Sequence, residues 1–175
     1  MMVIKMEEAY KKLAERNGWS YSISDNRPYF MKDGKYAVPD ETTSKEDKEL
    51  LAIIISEGSS EMAQLIQICW DNGIDISGPC SGIRKFHDKP PFSLHFSFKG
   101  KKDIIDQLYH SLQSIFPSFN HMYREENGLI RYDIDYPLNG IELSVQQSDE
   151  IFSIIRNQLQ KELNDNKAKK TPTIS

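Results

Sequence analysis

Cys80 stands in the segment Gly78-Pro79-Cys80-Ser81-Gly82, followed by Arg84, Lys85, His87 and, further on, His95. A thiol attacks as its thiolate, so it needs nearby cations to lower its pKa and a base to take its proton. Arg84 and Lys85 are candidates for the first duty, and His87 or His95 for the second. Backbone amides freed by the two glycines would hold an anion or a substrate carbonyl. A cysteine in a Gly/Pro loop is also a common small filler, and that plainer reading is taken here, with Cys80, His87 and His95 as the catalytic alternative. Cys69, on an apolar helix face, is expected in the core.

A second constellation lies in the run Arg131, Asp133, Asp135, which alternates with Ile130, Tyr132, Ile134 and Tyr136. Strand periodicity puts the charged set on one face. With Glu142 across an Asn139-Gly140 turn, three carboxylates would suit Mg²⁺. A wet strand face with Arg131 paired to a carboxylate is the ordinary outcome of such alternation, so no metal or cofactor is expected. His110 and His121 stand apart and receive no role. No P-loop, dinucleotide fingerprint or zinc motif occurs.

The elements that must position these groups follow from periodicity. Lys5 to Arg16 carries an apolar stripe and stops at Asn17-Gly18. Alternation from Trp19 to Ser24, then Pro28 to Lys32 and Lys35 to Val38 about Asp33-Gly34, predicts a three-stranded meander. Ser44 and its threonine neighbours cap a helix through Leu50 to Ile55, and Ser59 or Ser60 caps another over Glu61 to Asn72. Asn17-Gly18-Trp19 and Asn72-Gly73-Ile74 echo one another as helix stops. A brief strand at Ile74 to Ile76 enters the Cys80 loop. Phe92 to Lys99 is the clearest strand, and Lys101 to Phe116 an amphipathic helix ended by Pro117. Phe119 to Arg124, Leu129 to Tyr136 and Ile141 to Val145 read as a meander, and Ser148 caps a last helix through Leu163. The fold class expected is α+β, helices packed on antiparallel sheet made of hairpins. Residues 1–164 form one domain, with an N-terminal subregion at 1–40, and 165–175 a disordered tail.

A net charge of −4 disfavours coating nucleic acid by phosphate neutralisation. The sign is unevenly placed. Between Asp40 and Asp75 a series of carboxylates including Glu46, Asp47, Glu49, Glu57 and Glu61 faces only Lys45 and Lys48, whereas Arg84, Lys85 and four further lysines follow. The longest apolar run, Leu50 to Ile55, falls far short of the roughly 20 residues of a bilayer crossing. Glu7 and Glu8 occupy the region where an export signal would be apolar, and the two cysteines make no disulfide framework, so a cytoplasmic location is expected.

Cys80-Ser81-Gly82 before a strand resembles the Ser-Ser-Cys-Ser-Gly-Arg element of the wybutosine tRNA-modifying family, although Gly78, Pro79 and Ile83 replace its two serines and its arginine. That resemblance implies action on RNA. The segment from Asn72 to Phe98 is also similar to elements of small phage and mobile-element proteins, and the acidic, Lys/Ile/Asn-rich composition to anti-CRISPR proteins. This second resemblance implies a protein partner, a nuclease or ribonucleoprotein. The function expected is therefore inhibition of a nucleic-acid-handling enzyme through an acidic surface, with Glu46, Asp47, Glu49, Glu57, Glu61, Arg84 and Lys85 as the binding set. An RNA-acting enzyme built on Cys80 is the alternative.

Overall fold

The computed structural model describes residues 2–24, 27–56, 59–80, 93–137 and 145–170. The first helix, α1 (Met2–Asn17), buries Leu13 and Ala14 and ends where the Trp19 amide donates to the Ala14 carbonyl at 2.9 Å. Asn17 caps the Leu13 carbonyl and Gly18 takes the left-handed conformation, φ +65°. The second stop is built identically: Ile74 donates to Cys69 at 2.9 Å, Asn72 caps Ile68, and Gly73 has φ +69°. The sequence echo is thus a shared helix-stop geometry.

Strands β1 (Ser20–Ser24), β2 (Arg27–Lys32) and β3 (Lys35–Tyr36) form the expected antiparallel meander. Helix α2 (Lys45–Ile55) is capped by Ser44, and α3 (Ser60–Asp71) by Ser59. The larger sheet contains β4 (Asp75–Cys80), β5 (Ser93–Gly100), β6 (Asn120–Glu126) and β7 (Leu129–Pro137) in the order β4-β5-β7-β6, all antiparallel. Helix α4 (Lys102–Ile115) connects β5 to β6, and α5 (Val145–Lys170) closes the described chain. The α+β class holds, and no described helix is long and apolar enough to cross a membrane.

Two apolar clusters organise the described residues. In the larger, Phe96, Phe98, Ile130, Tyr132 and Ile134 of one sheet face meet Leu65 and Ile66 of α3, Leu108 and Leu112 of α4, and Phe152, Ile155, Leu159 and Leu163 of α5. The smaller joins Leu13, Trp19, Phe30 and Ala37 to Leu51 of α2. Ile55 and Trp70 pack against both, so the N-terminal subregion shares α2 and α3 with the rest.

Three expectations are corrected. The strand that was to end near Ile76 continues through Gly78-Pro79 to Cys80, with a register shift between Ser77 and Cys80. Proline has no amide for the ladder, but β4 is an outer strand, where a slipped pairing accommodates it. Val145 begins α5 instead of ending a strand, so Ser148 lies within the helix, fully buried, and is not its cap. Residues 138–144 lie outside the described residues. The tail expected from Asp165 remains helical to Lys170, because Lys and Ala extend an established helix cheaply and lysines suit its C-terminal end. Residues 171–175 are outside the described residues.

Among the described residues, Leu163 is the last side chain buried in the core, at 3% exposure. Leu163→Ala should cost about 2–4 kcal/mol. Truncation after Asn164 should lower the thermal midpoint by less than about 3 °C. Calorimetry of the two variants checks both.

Asp47 was expected on a docking surface, but it is buried at 8% exposure where α1 ends against α2. Arg16 donates to both its oxygens, Nη2 to Oδ1 at 2.7 Å and Nε to Oδ2 at 3.2 Å, and Asn17 adds a third bond at 2.9 Å. Hydrogen bonding from Arg16 leads in holding this carboxyl below the usual carboxylate range, against the opposing effect of burial. A depressed value means that the stabilisation is present above the unfolded carboxyl's pKa, about 4, and is lost as pH falls through the folded value. Asp47→Ala should cost about 1–3 kcal/mol at neutral pH. The gap from wild type should narrow as pH falls below the unfolded carboxyl's value of about 4 and through the lower folded value, as read by urea midpoints across pH.

Candidate functional site

The strands of the larger sheet send apolar side chains to the helices and polar ones to the opposite face, against which no described helix packs. Register arranges that second face in rows. Asp75, Lys99, Arg131 and Arg124 form the first row, and Ser77, Ser97, Asp133 and Met122 the second. Cys80, His95, Asp135 and Asn120 form the third.

The first two rows carry a connected set of charges. Glu126 stands 3.0 Å from Arg124 Nε, 3.5 Å from Lys99 Nζ and 3.9 Å from Arg131 Nη1. Arg131 Nε also donates to Ser97 Oγ at 3.1 Å and to Asp133 Oδ1 at 3.2 Å. Burial pushes the Asp133 carboxyl up, but hydrogen bonds from Ser97 and Arg131 and the Arg131 charge outweigh it, leaving a net depression. Asp133 is therefore a committed ion-pair partner. Asp135 shares its face, Glu142 falls outside the described residues, and no group of three or more His, Cys, Asp or Glu among the described residues is arranged to hold a metal.

The third row is less committed. His95 Nδ1 stands 4.0 Å from Asp135 Oδ1, and that oxygen is buried without a hydrogen-bond partner among the described residues. A groove of about 1050 Å³ runs from His95, Asp133 and Asp135 past Asn120 to His110 and Gln113 near the end of α4. At the same end of the sheet β4 stops, β5 starts, β6 starts and β7 stops.

The other expected residues are scattered. Glu46 is exposed and Glu49 half-buried on α2. Glu61 is engaged by Arg156 of α5 at 2.9 Å, and Asp71 by Lys48. Asp47 thus serves the interior of the fold, and Glu61, half-buried, is held by Arg156 where α3 packs against α5. Glu57, Arg84, Lys85 and His87 lie outside the described residues. Cys69 is fully buried, and burial pushes its thiol up. Lys99, Arg124 and Asn120 were not anticipated; their alternation was legible, but their cross-strand neighbours were not.

His121, given no role from sequence, has a structural one. Its Nε2 lies 2.8 Å from the Phe116 carbonyl, which only accepts, so that nitrogen carries the proton and Nδ1 accepts from the Tyr132 hydroxyl at 2.6 Å. Tyr132 is fully buried, and that burial pushes its hydroxyl pKa up. The chain ties the turn after α4 to the core of the sheet. Next to it the Tyr123 hydroxyl donates to Asp106, a bond that leads in pushing Tyr123 up to about 12.

His121→Ala would leave the buried Tyr132 hydroxyl without its acceptor and should cost about 1–3 kcal/mol. The double variant with Tyr132→Phe removes the orphan, so it should lose less than the two single changes summed. A double-mutant cycle on urea midpoints checks this. Comparison with protein-family models, with curated proteins and with solved structures matched nothing to this chain.

Proposed function

We propose that this chain is a binding protein that inhibits a nucleic-acid-handling enzyme, holding it on the charged face of the larger sheet. The carrying observation is the connected set of Lys99, Arg124, Glu126, Arg131 and Asp133 on a face that no described helix covers. Side chains already held by one another lose little freedom on docking. Charges of both signs in a fixed pattern select one partner and reject others through mismatched pairs. Enzymes that grip nucleic acid do so with cationic grooves, and Glu46, Glu49 and Asp75 remain to meet them. The resemblance in character to anti-CRISPR proteins makes an RNA-guided nuclease the first partner to try.

The test is DNA cleavage by a purified RNA-guided nuclease with added protein. Wild type should inhibit. Reversing Lys99 and Arg124 to Glu, or Glu46 and Glu49 to Lys, should each weaken inhibition by about tenfold or more at low salt, with the differences shrinking as salt rises. Absence of inhibition by wild type, or inhibition that survives both reversals, removes this reading.

A further inference from the structure

The larger sheet has two outer strands, β4 and β6, and they differ in how well they would pair with a further strand. β4 carries Pro79 and a register shift, both of which interrupt a ladder. β6 holds an unbroken register with β7, from Asn120 opposite Asp135 to Glu126 opposite Leu129, and contains no proline. Among the described residues no strand pairs with its outer side, toward which alternate N–H and C=O groups point. Two large apolar side chains stand exposed at its centre, one on each face, Met122 at 61% and Tyr123 at 37%.

The charge pattern along β6 decides which strand fits it. Asn120 and Met122 are uncharged, and so is His121, whose Nε2 donates to Phe116 while Nδ1 accepts from Tyr132. The other half of the strand, Arg124, Glu125 and Glu126, is charged. Laid antiparallel on itself about Tyr123, the strand sets Met122 against Arg124, His121 against Glu125 and Asn120 against Glu126. Every residue is then paired, no like charges are opposed, and side chains of the polar face meet only side chains of the polar face. A parallel copy would instead stack Arg124 on Arg124 and each glutamate on itself. Sliding the antiparallel register either way leaves fewer residues paired.

We propose that β6 is the seam of a symmetric dimer, in which a second copy of this chain adds its own β6 antiparallel and the two four-stranded sheets run on as one. The contact is isologous and closed, because the same strand edge is used up in both copies. Glu126 already holds Arg124 within each chain, together with Lys99 and Arg131, so Arg124 gives up no partner on pairing. Asn120 and Met122 line the groove of about 1050 Å³, and the second copy brings its Glu126 and Arg124 to that rim. The polar faces of both copies lie on the same side of the joined sheet. The seam rests on the strand edge and stands independently of the docking proposed for the charged face.

Sedimentation equilibrium of the full chain at low salt tests this. Wild type should pass from the mass of one chain to that of two as its concentration rises to about 1 mM. Met122→Lys sets a second cation against Arg124 of the other copy, twice per dimer, and should weaken association by about tenfold or more. Met122→Glu sets an anion there and should associate at least about tenfold more tightly than Met122→Lys. Within the chain Met122 lies opposite Asp133, so the stability of the monomer should favour Lys over Glu. That order is the reverse of the one expected for association, so a folding defect does not imitate the result. A wild type that stays monomeric to that concentration leaves the edge to a foreign strand or to water and overturns the proposal. Dimers that Met122→Lys leaves intact, or equal weakening by Lys and Glu, overturn it as well. None of these readouts depends on inhibition of a nuclease.

Discussion

The pairing of β5 with β7 is the constraint on which the rest of this fold depends. With Phe96 opposite Ile134 and Phe98 opposite Tyr132, the rings and aliphatic chains of both strands face α3, α4 and α5. The intervening residues, His95, Ser97 and Lys99 on one strand and Asp135, Asp133 and Arg131 on the other, share the opposite face. Side-chain direction has period two, so a slip of one residue would drive these charges into the core and expose the aromatic set. Hydrophobic burial thus enforces the polar grid as a by-product. The rigidity of the site is inherited from Phe96, Phe98, Phe152 and Tyr132 packing behind it.

Attachment of the N-terminal meander follows a different logic. It has a small core of its own, and it meets the larger cluster through helices that each lobe uses in part. Leu51 faces one cluster and the adjacent Ala52 the other. The polar seal at this junction is Asp47, which ties the start of α2 to the end of α1 through Arg16 and Asn17. A carboxylate that looks like part of an acidic surface in the sequence is a structural clamp, because two helix ends meet there and their polar groups need partners away from water. Glu61 and Arg156 play a similar part between α3 and α5.

The other concentration of paired charge lies on the larger sheet. On its polar face, Glu126 and Arg131 each serve more than one partner, so removal of either would leave several charges unmatched. The pair of His95 and Asp135 differs in kind, since a buried carboxylate oxygen with no hydrogen-bond partner among the described residues lies beside an exposed imidazole. A fold that satisfies its polar groups so fully elsewhere on this face leaves that end chemically available.

What could be read from the sequence alone was whatever neighbouring residues decide among themselves. The Asn-Gly helix stops, the caps at Ser44 and Ser59, the turns at Asp33-Gly34 and Asn127-Gly128 and the alternation in β5 and β7 all rest on contacts within a few residues along the chain. The extent of α5 and the passage of β4 through Pro79 escaped such reading, because an established helix and an outer sheet position supply stabilisation that composition does not display. Which carboxylates are free, and which histidine stands beside Asp135, were decided only in three dimensions. Asp47 finds Arg16, and His95 finds Asp135, through strand order and helix packing that bring distant segments together; no local pattern encodes those neighbours, since each arises from burying the same apolar surface once for the whole chain.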